Sequence, residues 1–180
     1  MIIIGLGGNL RCETFGTPRA TCGAALQIMD QRGLKVGARS RWYESAPVPI
    51  SDQPWYVNGV VSIETALSAP ELVREVLDIE AELGRRRTVA NAPRTIDLDV
   101  IAYHDQVIDA VNPVNVAIPH PRMHTRTFVL LPLQDIQPTW RHPGSGKTLD
   151  QLIDALPDDQ ICRPMADGPG LYGTEWAGQE

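Results

Sequence analysis

The chain has 180 residues, of which 43% are hydrophobic and 21% are charged, and its formal net charge is -6. This length and composition predict one globular domain with a sizeable core, and they exclude a membrane-spanning segment because no apolar run is long enough. The acidic balance also argues against binding to a nucleic-acid backbone, which requires a basic surface.

The N-terminal sequence from Met1 to Gly5 has neither a basic leader nor a small-residue cleavage site, so we predict a strand there and a cytoplasmic protein. The three cysteines, Cys12, Cys22 and Cys162, are odd in number and lack the spacing of metal ligands. We therefore expect reduced thiols and assign them no chemistry.

The first third of the chain alternates strand and helix signals. An apolar strand from Ile2 to Leu6 ends at Gly7-Gly8-Asn9, and a helix opens at Thr17-Pro18 and ends at Gly33. Residues 35–44 are predicted to form the second strand. The segment that follows, residues 46–54, contains three prolines and is predicted to be a stiff loop.

A third strand is predicted from Val57 to Thr65. Ser68 and Glu71 form a capping box, after which a helix with an apolar stripe runs to Gly84. The fourth strand is predicted over residues 95–103, and it is expected to turn back into a hairpin with Val107 and Ile108.

The order strand, helix, strand, strand, helix, strand is typical of the split-βαβ unit. We therefore predict an α+β fold with a ferredoxin-like βαββαβ core, an antiparallel sheet with helices on one face, and further helices near residues 125–136 and 149–156. The domain is expected to span residues 1–163, followed by a loosely held Pro- and Gly-rich tail over residues 164–180.

Two carboxylates stand out on the fourth strand. Asp97 and Asp99 are two residues apart, so their side chains share one face while Leu98 and Val100 face the other way. Paired carboxylates repel each other unless a cation lies between them, and magnesium shared with substrate phosphates is a common solution. Taken alone, such a pair is more often a solvated polar face than a metal site.

Cationic residues gather on both sides of these carboxylates in the sequence. Arg85, Arg86, Arg87 and Arg94 precede them, and the proline-broken stretch from His120 to Arg126 follows. Arginine forks suit phosphate oxygens, so the pattern favours a metal and a polyphosphate. The alternative is that these arginines form surface pairs with acids such as Glu80 and Glu82.

Tyr56 and Asn58 share a face at the start of the third strand, beside the proline-rich loop. A flat ring and an adjacent amide form a plausible cradle for a heterocycle, because rings stack and asparagine both donates and accepts hydrogen bonds. A structural tyrosine and a turn-forming asparagine would be the default reading without the other features.

Several segments, taken in order, resemble the 6-hydroxymethyl-7,8-dihydropterin pyrophosphokinase family. They extend from residue 2 to about residue 157, and the matches at 92–99 and 118–123 are the most specific. The matching segments are Gly7-Gly8-Asn9-Leu10, Asp52-Gln53-Pro54-Trp55-Tyr56-Val57-Asn58, Gly84-Arg85 with Arg87, Ala92-Pro93-Arg94-Thr95-Ile96-Asp97-Leu98-Asp99, and Ile118-Pro119-His120-Pro121-Arg122-Met123 followed by Arg126 and Phe128.

This resemblance implies transfer of pyrophosphate from ATP to the pterin hydroxymethyl group, in folate biosynthesis, by a monomer whose partners are small molecules. Asp97 and Asp99 would hold two magnesium ions, and with Arg85 and Arg94 they would form the catalytic set. The remaining implied roles are ATP binding by Glu80, Arg85, Arg87, Arg94, His120 and Arg126, and pterin binding by Ser45, Ala46, Val48, Tyr56, Asn58 and Phe128.

The sequence also departs from the family pattern. Gly8 replaces a frequent serine, Asn91-Ala92 replaces a frequent tryptophan and glycine, and Pro121 replaces a frequent tyrosine. The loop over residues 87–93 is also short by about one residue. These differences concern how a catalytic loop closes over ATP.

Two other functions are compatible with parts of the pattern. A ferredoxin-like module that senses ATP without chemistry would not need the pterin cradle. A metal-dependent phosphodiesterase or nuclease could use the same carboxylates, but the acidic net charge makes a nucleic-acid substrate unattractive.

Overall fold

The computed structural model describes residues 1–85, 92–111 and 116–179. Within these ranges no helix has both the length and the apolar character needed to cross a membrane. The elements in chain order are β1 (Ile2–Gly8), α1 (Pro18–Gln31), β2 (Lys35–Arg39), β3 (Tyr43–Ser45), β4 (Tyr56–Glu64), α2 (Ala69–Glu82), β5 (Asp97–Tyr103), β6 (Ile108–Val111), β7 (Val116–Ile118), α3 (Thr127–Ile136), α4 (Leu149–Ile153) and β8 (Cys162–Pro164), with 3₁₀ turns at Met123–Thr125 and Leu171–Gly173.

The two long helices begin and end at the signals that the sequence provides. The Thr17 hydroxyl caps α1 by accepting from the Ala20 amide at 3.1 Å, and Ser68 forms a capping box with Glu71 at the start of α2. Gly33 and Gly84 follow the two helices with φ near +78° and +79°, a conformation that glycine adopts without strain.

The main sheet is antiparallel and has the strand order β5-β1-β4-β3-β8, with β2 pairing on the same edge of β4 as β3. The predicted second strand is thus divided into β2 and β3. The predicted hairpin between the fourth strand and Val107-Ile108 is wrong, because β6 pairs with β7 in a separate two-stranded ribbon.

Helices cover both faces of this sheet, whereas the sequence predicts helices on one face. α1 and α2 pack with Ile4, Leu98 and Val100 in the larger core cluster. α3 and α4 pack on the opposite face with Ile3 and Ile101. The central strand β1 contributes apolar residues to both faces, which is typical of a sheet that is buried on both sides.

The C-terminal segment is part of the fold. β8 pairs with β3, the Trp42 indole donates to the Tyr172 carbonyl at 2.9 Å, and Thr174 is fully buried. Trp176 packs edge-on against Phe15 beside the larger core. The expectation of a loosely held tail is therefore wrong, while the domain boundary at residue 163 stays a prediction.

Candidate functional site

An open cleft lies on the α3 face of the sheet. It is lined by apolar side chains with a few polar and charged groups, as small-molecule sites commonly are. Its floor consists of β1, β4 and β5, and its walls are the proline-rich loop and the start of α3. Its lining includes Gly5, Gly7, Ser45, Ala46, Pro47, Val48, Pro49, Ser51, Gln53, Tyr56, Asn58, Val60, Arg94, Asp97, Asp99, Ile101, Arg126, Phe128 and Val129.

Asp97 and Asp99 both face this cleft, and Leu98 lies in the core on the other side of β5. The predicted face assignment is confirmed. In the β1–β5 register, Asp97 pairs with Gly7 and Asp99 pairs with Gly5. Because the paired residues of β1 have no side chains, the carboxylates remain open to the cleft.

Two arginines hold Asp97 from opposite sides. Arg85 and Arg94 each form an ion pair with one of its carboxylate oxygens. Burial alone would raise the pKa of Asp97, but the charges of these two guanidinium groups outweigh it and lower the pKa below its usual value. Asp97 is thus an anion at neutral pH.

The pKa of Asp99 shifts in the opposite direction. Burial raises its pKa, the adjacent charge of Asp97 raises it further, and the arginines nearby do not compensate, so that its pKa is about 6. A carboxylate that is costly to ionise beside another carboxylate is stabilised by an added cation. The two side chains therefore form a site suited to a cation.

The fit to magnesium rests on ligand type. Within the described part of the chain, no group of three or more histidine, cysteine or acidic side chains is arranged to hold a metal ion. Two carboxylates with open positions suit Mg²⁺, which retains waters and shares its remaining positions with substrate phosphates. They would not suit a metal that needs a complete set of protein ligands.

Further positive charge lies on the α3 side of the cleft. Burial, and then the charge of Arg122, lowers the pKa of the Arg126 guanidinium. Burial, and then the charges of Arg126 and Arg122, lowers the pKa of His120 to about 4, so that its imidazole is neutral at pH 7. Because burial and a neighbouring positive charge disfavour the charged form of Arg126, its guanidinium favours the binding of an anion.

An aromatic region adjoins the charged one. Tyr56 and Phe128 both line the cleft, and the guanidinium of Arg126 lies 5.3 Å from the Phe128 ring centroid. Asn58 is 4% exposed and its amide donates to the Ser45 hydroxyl at 2.9 Å. A Cβ atom at Gly7 would lie 3.0 Å from the side-chain oxygen Oδ1 of Asn58, so glycine at this position leaves room for the Asn58 side-chain amide.

Asn9 connects the proline-rich loop to the arginine region. Its amide donates to the Pro54 carbonyl at 3.0 Å, and its side-chain oxygen accepts from the Arg94 backbone amide at 2.9 Å. Gln53, on the same loop, accepts from the Tyr56 hydroxyl at 3.3 Å. This network fixes the end of the loop, at Gln53 and Pro54, next to the segment that leads into β5.

Most of the residues singled out in the sequence come together in this cleft. Glu80 is 2% exposed and lies beneath the cleft, with an ion pair to Arg85 at 2.7 Å and a bond from the Leu98 amide. Arg85 and His120 are not part of the lining: Arg85 reaches the cleft through its ion pair with Asp97, and His120 is close to Arg126. Arg87 lies outside the described residues. Val48 stands at the rim and is 46% exposed.

The sequence reasoning gave no role to Gln53, Ile101 or Val129, which also line the cleft. Ile101 could have been found by continuing the two-residue period from Asp97 and Asp99 along β5. Gln53 belongs to the segment over residues 52–58, which was already selected for its resemblance to the family. Nothing in the sequence placed Val129 opposite the sheet, because that contact depends on how α3 docks.

Comparisons with known proteins identify the family to which the chain is similar. The model of the family described as 7,8-dihydro-6-hydroxymethylpterin-pyrophosphokinase matches residues 3–138. The chain is 39% identical over 172 residues to the 2-amino-4-hydroxy-6-hydroxymethyldihydropteridine pyrophosphokinase of Synechocystis, covering 96% of this chain and 84% of the relative. It is 36% identical to the enzyme of that name from Pseudomonas aeruginosa, covering 90% of this chain and 95% of the relative.

Among solved structures, wild-type HPPK-DHPS of Plasmodium falciparum superposes with a TM-score of 0.65 at 15% identity. The match covers 85% of this chain but 40% of that one, so the chain spans less than half of the Plasmodium protein. At this level of identity the likeness supports the fold.

Proposed function

The chain belongs to the 7,8-dihydro-6-hydroxymethylpterin-pyrophosphokinase family, and from that premise we propose that the cleft between β5, the proline-rich loop and α3 is its active site. The enzyme transfers pyrophosphate from ATP to the hydroxymethyl group of 6-hydroxymethyl-7,8-dihydropterin, in folate biosynthesis. The family assignment favours this transferase over an ATP sensor or a phosphodiesterase.

One observation supports the location most strongly: a paired carboxylate site surrounded by arginines opens into the same cleft as two aromatic side chains. The reaction needs a polyphosphate and a flat heterocycle held side by side. Arg126 adjoins both regions, because its guanidinium lies over Phe128 and close to the carboxylates. The cleft thus offers complementary ends for the two substrates.

At the phosphate end, Asp97 and Asp99 would hold two magnesium ions, which would offset charge on the attacking and leaving oxygens. Arg85, Arg94, His120 and Arg126 would contact the phosphates. Arg85 and Arg94 now pair with Asp97, so we propose that they redistribute toward the phosphates when ATP binds. The role expected for Arg87 lies outside the described residues.

We assign Glu80 an indirect role in ATP binding. Its buried carboxylate pairs with Arg85 and accepts from the Leu98 amide at 2.7 Å. These bonds fix both the guanidinium and the strand that carries the two aspartates. Glu80 would therefore position the phosphate-binding groups from below.

At the pterin end, Tyr56 and Phe128 would lie on either side of the ring. Asn58, Ser45, Ala46 and the backbone at Val48 would bind its edge. The hydroxymethyl oxygen would attack the β-phosphorus in line and AMP would leave, with the protein supplying position and charge neutralisation. No side chain is assigned as a general base.

Four finer points remain our proposals. The strand order places β5 beside β1 and β4 beside β1, which supports the predicted ferredoxin-like core. The domain over residues 1–163, the monomeric state and the cytoplasmic location stay predictions from the sequence.

The proposed function is tested by mixing the protein with ATP, magnesium and 6-hydroxymethyl-7,8-dihydropterin and measuring AMP and the pterin diphosphate. We expect AMP only when the pterin is present. ATP binding without AMP would indicate a sensor, and ATP cleavage without pterin would indicate a hydrolase.

The loop from Pro47 to Pro54 is expected to gain protection from amide exchange when ATP and pterin bind together. Val48 and Ile50 are 46% and 74% exposed on this loop, which leaves it able to close over a ligand and exclude water. Hydrogen–deuterium exchange with each ligand alone provides the control. Exchange that is unchanged with both ligands would contradict closure. The second loop predicted to close, residues 86–92, lies largely outside the described residues.

A further inference from the structure

The C-terminal segment contacts both walls of the cleft, although it lies beyond the family match at residues 3–138. On the α3 wall, the contact is made by the side chain of Gln160. Its oxygen accepts from the Thr127 amide at 3.0 Å, and its nitrogen donates to the Thr125 carbonyl at 2.7 Å. The two residues that make these bonds, Thr125 and Thr127, flank Arg126, and Thr127 directly precedes Phe128.

The bond to Thr127 meets a need of the helix. The first amides of a helix have no intrahelical acceptor, and Arg126, at the N-cap of α3, makes no capping bond with its side chain. Gln160 supplies an acceptor from a segment more than thirty residues away. The start of α3 is therefore held by the C-terminal segment.

On the opposite wall, the same segment extends the sheet. The Ala46 amide donates to the Ile161 carbonyl at 3.0 Å, and the Met165 amide donates to the Trp42 carbonyl at 2.7 Å. Between these bonds, Ser45 pairs with Cys162. Gln160 and Ile161 are adjacent, so the two walls are tied to neighbouring residues.

The segment is itself anchored away from the cleft. Arg39 forms an ion pair with Asp167 at 2.7 Å, and the Trp176 indole donates to Gln27 of α1 at 2.9 Å. Because both ends of the contact are fixed, displacement of α3 relative to β3 would strain these bonds. The C-terminal segment thus connects the start of α3, the strand β3 and the main core.

We propose that Gln160 is a positioning residue for the reaction: through the backbone on either side of Arg126, it sets the distance between Phe128 and the wall formed by Ser45 and Ala46. The inference rests on the proposed active site. It assigns to the C-terminal segment control of pterin affinity, with no direct contact to substrate or metal.

The test is Gln160→Met, which keeps the length of the side chain but removes both hydrogen bonds. We expect the KM and the Kd for the pterin to rise about tenfold, with kcat and the Kd for ATP changing less than about threefold. Pterin fluorescence or calorimetry measures the Kd separately from turnover. Gln160→Glu retains the acceptor for Thr127 and is expected to restore part of the pterin affinity.

Gln151→Met is the matched control. Gln151 accepts from the Thr148 amide at the start of α4, so its loss removes a helix-capping bond elsewhere. We expect a change in thermal stability without a change in pterin affinity. If Gln160→Met and Gln151→Met shifted the KM equally, or if Gln160→Met left the pterin Kd unchanged, the proposal would be overturned.

Phe128→Ala separates this inference from the active-site assignment. If Phe128→Ala weakens pterin binding while Gln160→Met does not, only the positioning role fails. If neither variant weakens it, the proposed pterin end of the cleft is wrong. Should Gln160→Met prove too unstable to purify, the same comparison is made with Gln160→Ala, which also removes both hydrogen bonds and for which an unchanged pterin Kd overturns the proposal.

Discussion

Asp97→Asn and Asp99→Asn are each expected to lower the rate of AMP formation at least about 100-fold at ordinary magnesium concentrations. Without its carboxylates the cleft cannot fix a cation where charge develops on the transferred group. ATP affinity should also lose most of its dependence on magnesium. The measurements are steady-state AMP formation and ATP titrations with and without the metal.

The two variants should differ in their effect on the stability of the metal-free protein. Asp97→Asn removes the anion that pairs with Arg85 and Arg94, so the half-buried Arg85 loses one partner and stability should fall. Asp99→Asn removes a carboxylate that burial and Asp97 make costly to ionise, so stability should rise. Thermal unfolding of both variants without metal measures this difference in sign.

The gain from Asp99→Asn should depend on pH. The folded protein raises the pKa of Asp99 from 3.8 to about 6, so the folded state binds the proton more tightly than the unfolded chain does. Wild-type stability attributable to this group therefore falls as pH rises from about 4 to 6. The variant should be more stable by about 1 to 3 kcal/mol at pH 7 and should lose its advantage below pH about 4.

Asp105→Asn provides the control, since Asp105 is exposed just beyond the end of β5. It should alter neither turnover nor the response to pH. Near-normal AMP formation by Asp97→Asn or Asp99→Asn would show that the reaction does not depend on these carboxylates. The phosphate end would then have to be sought elsewhere.

Tyr56→Ala and Phe128→Ala are expected to weaken pterin binding by roughly 1 to 3 kcal/mol each, by analogy with bases stacked on aromatic side chains. Both rings line the cleft. ATP affinity should change much less. Titrations with pterin and ATP separately measure the two effects.

Phe15→Ala is the matched control, because the chain has two phenylalanines and Phe15 packs against Trp176 away from the cleft. It should lower stability without a selective effect on the pterin. Equal loss of affinity for both ligands in Tyr56→Ala or Phe128→Ala would point to general misfolding and against stacking.

Local sequence patterns predicted much of the fold. The capping residues Thr17 and Ser68 and the terminating glycines Gly33 and Gly84 lie where the helices begin and end. The alternation along β5 correctly placed Asp97 and Asp99 on one face. These features depend on neighbours within a few residues, for which sequence spacing is sufficient information.

The pairing partners of the strands were harder to predict from the sequence, because strand pairing depends on contacts between residues far apart in the chain. Nothing near Val107 indicates that β6 pairs with β7, and nothing near Cys162 indicates that β8 joins the sheet at β3. Turn residues and proline content describe the local chain. They do not indicate which edge of a sheet elsewhere in the molecule is available for pairing.

The sequence by itself determined the family and its reaction, since the segments around Asp97, Tyr56 and His120 carried the family resemblance. Only the tertiary structure decided the opposite pKa shifts of Asp97 and Asp99, because one carboxylate meets Arg85 and Arg94 while the other meets mainly burial and a like charge. Electrostatic energy depends on distance and desolvation, and both are set by packing between elements far apart in the chain. For the same reason, no local pattern could show that Gln160 brackets Arg126.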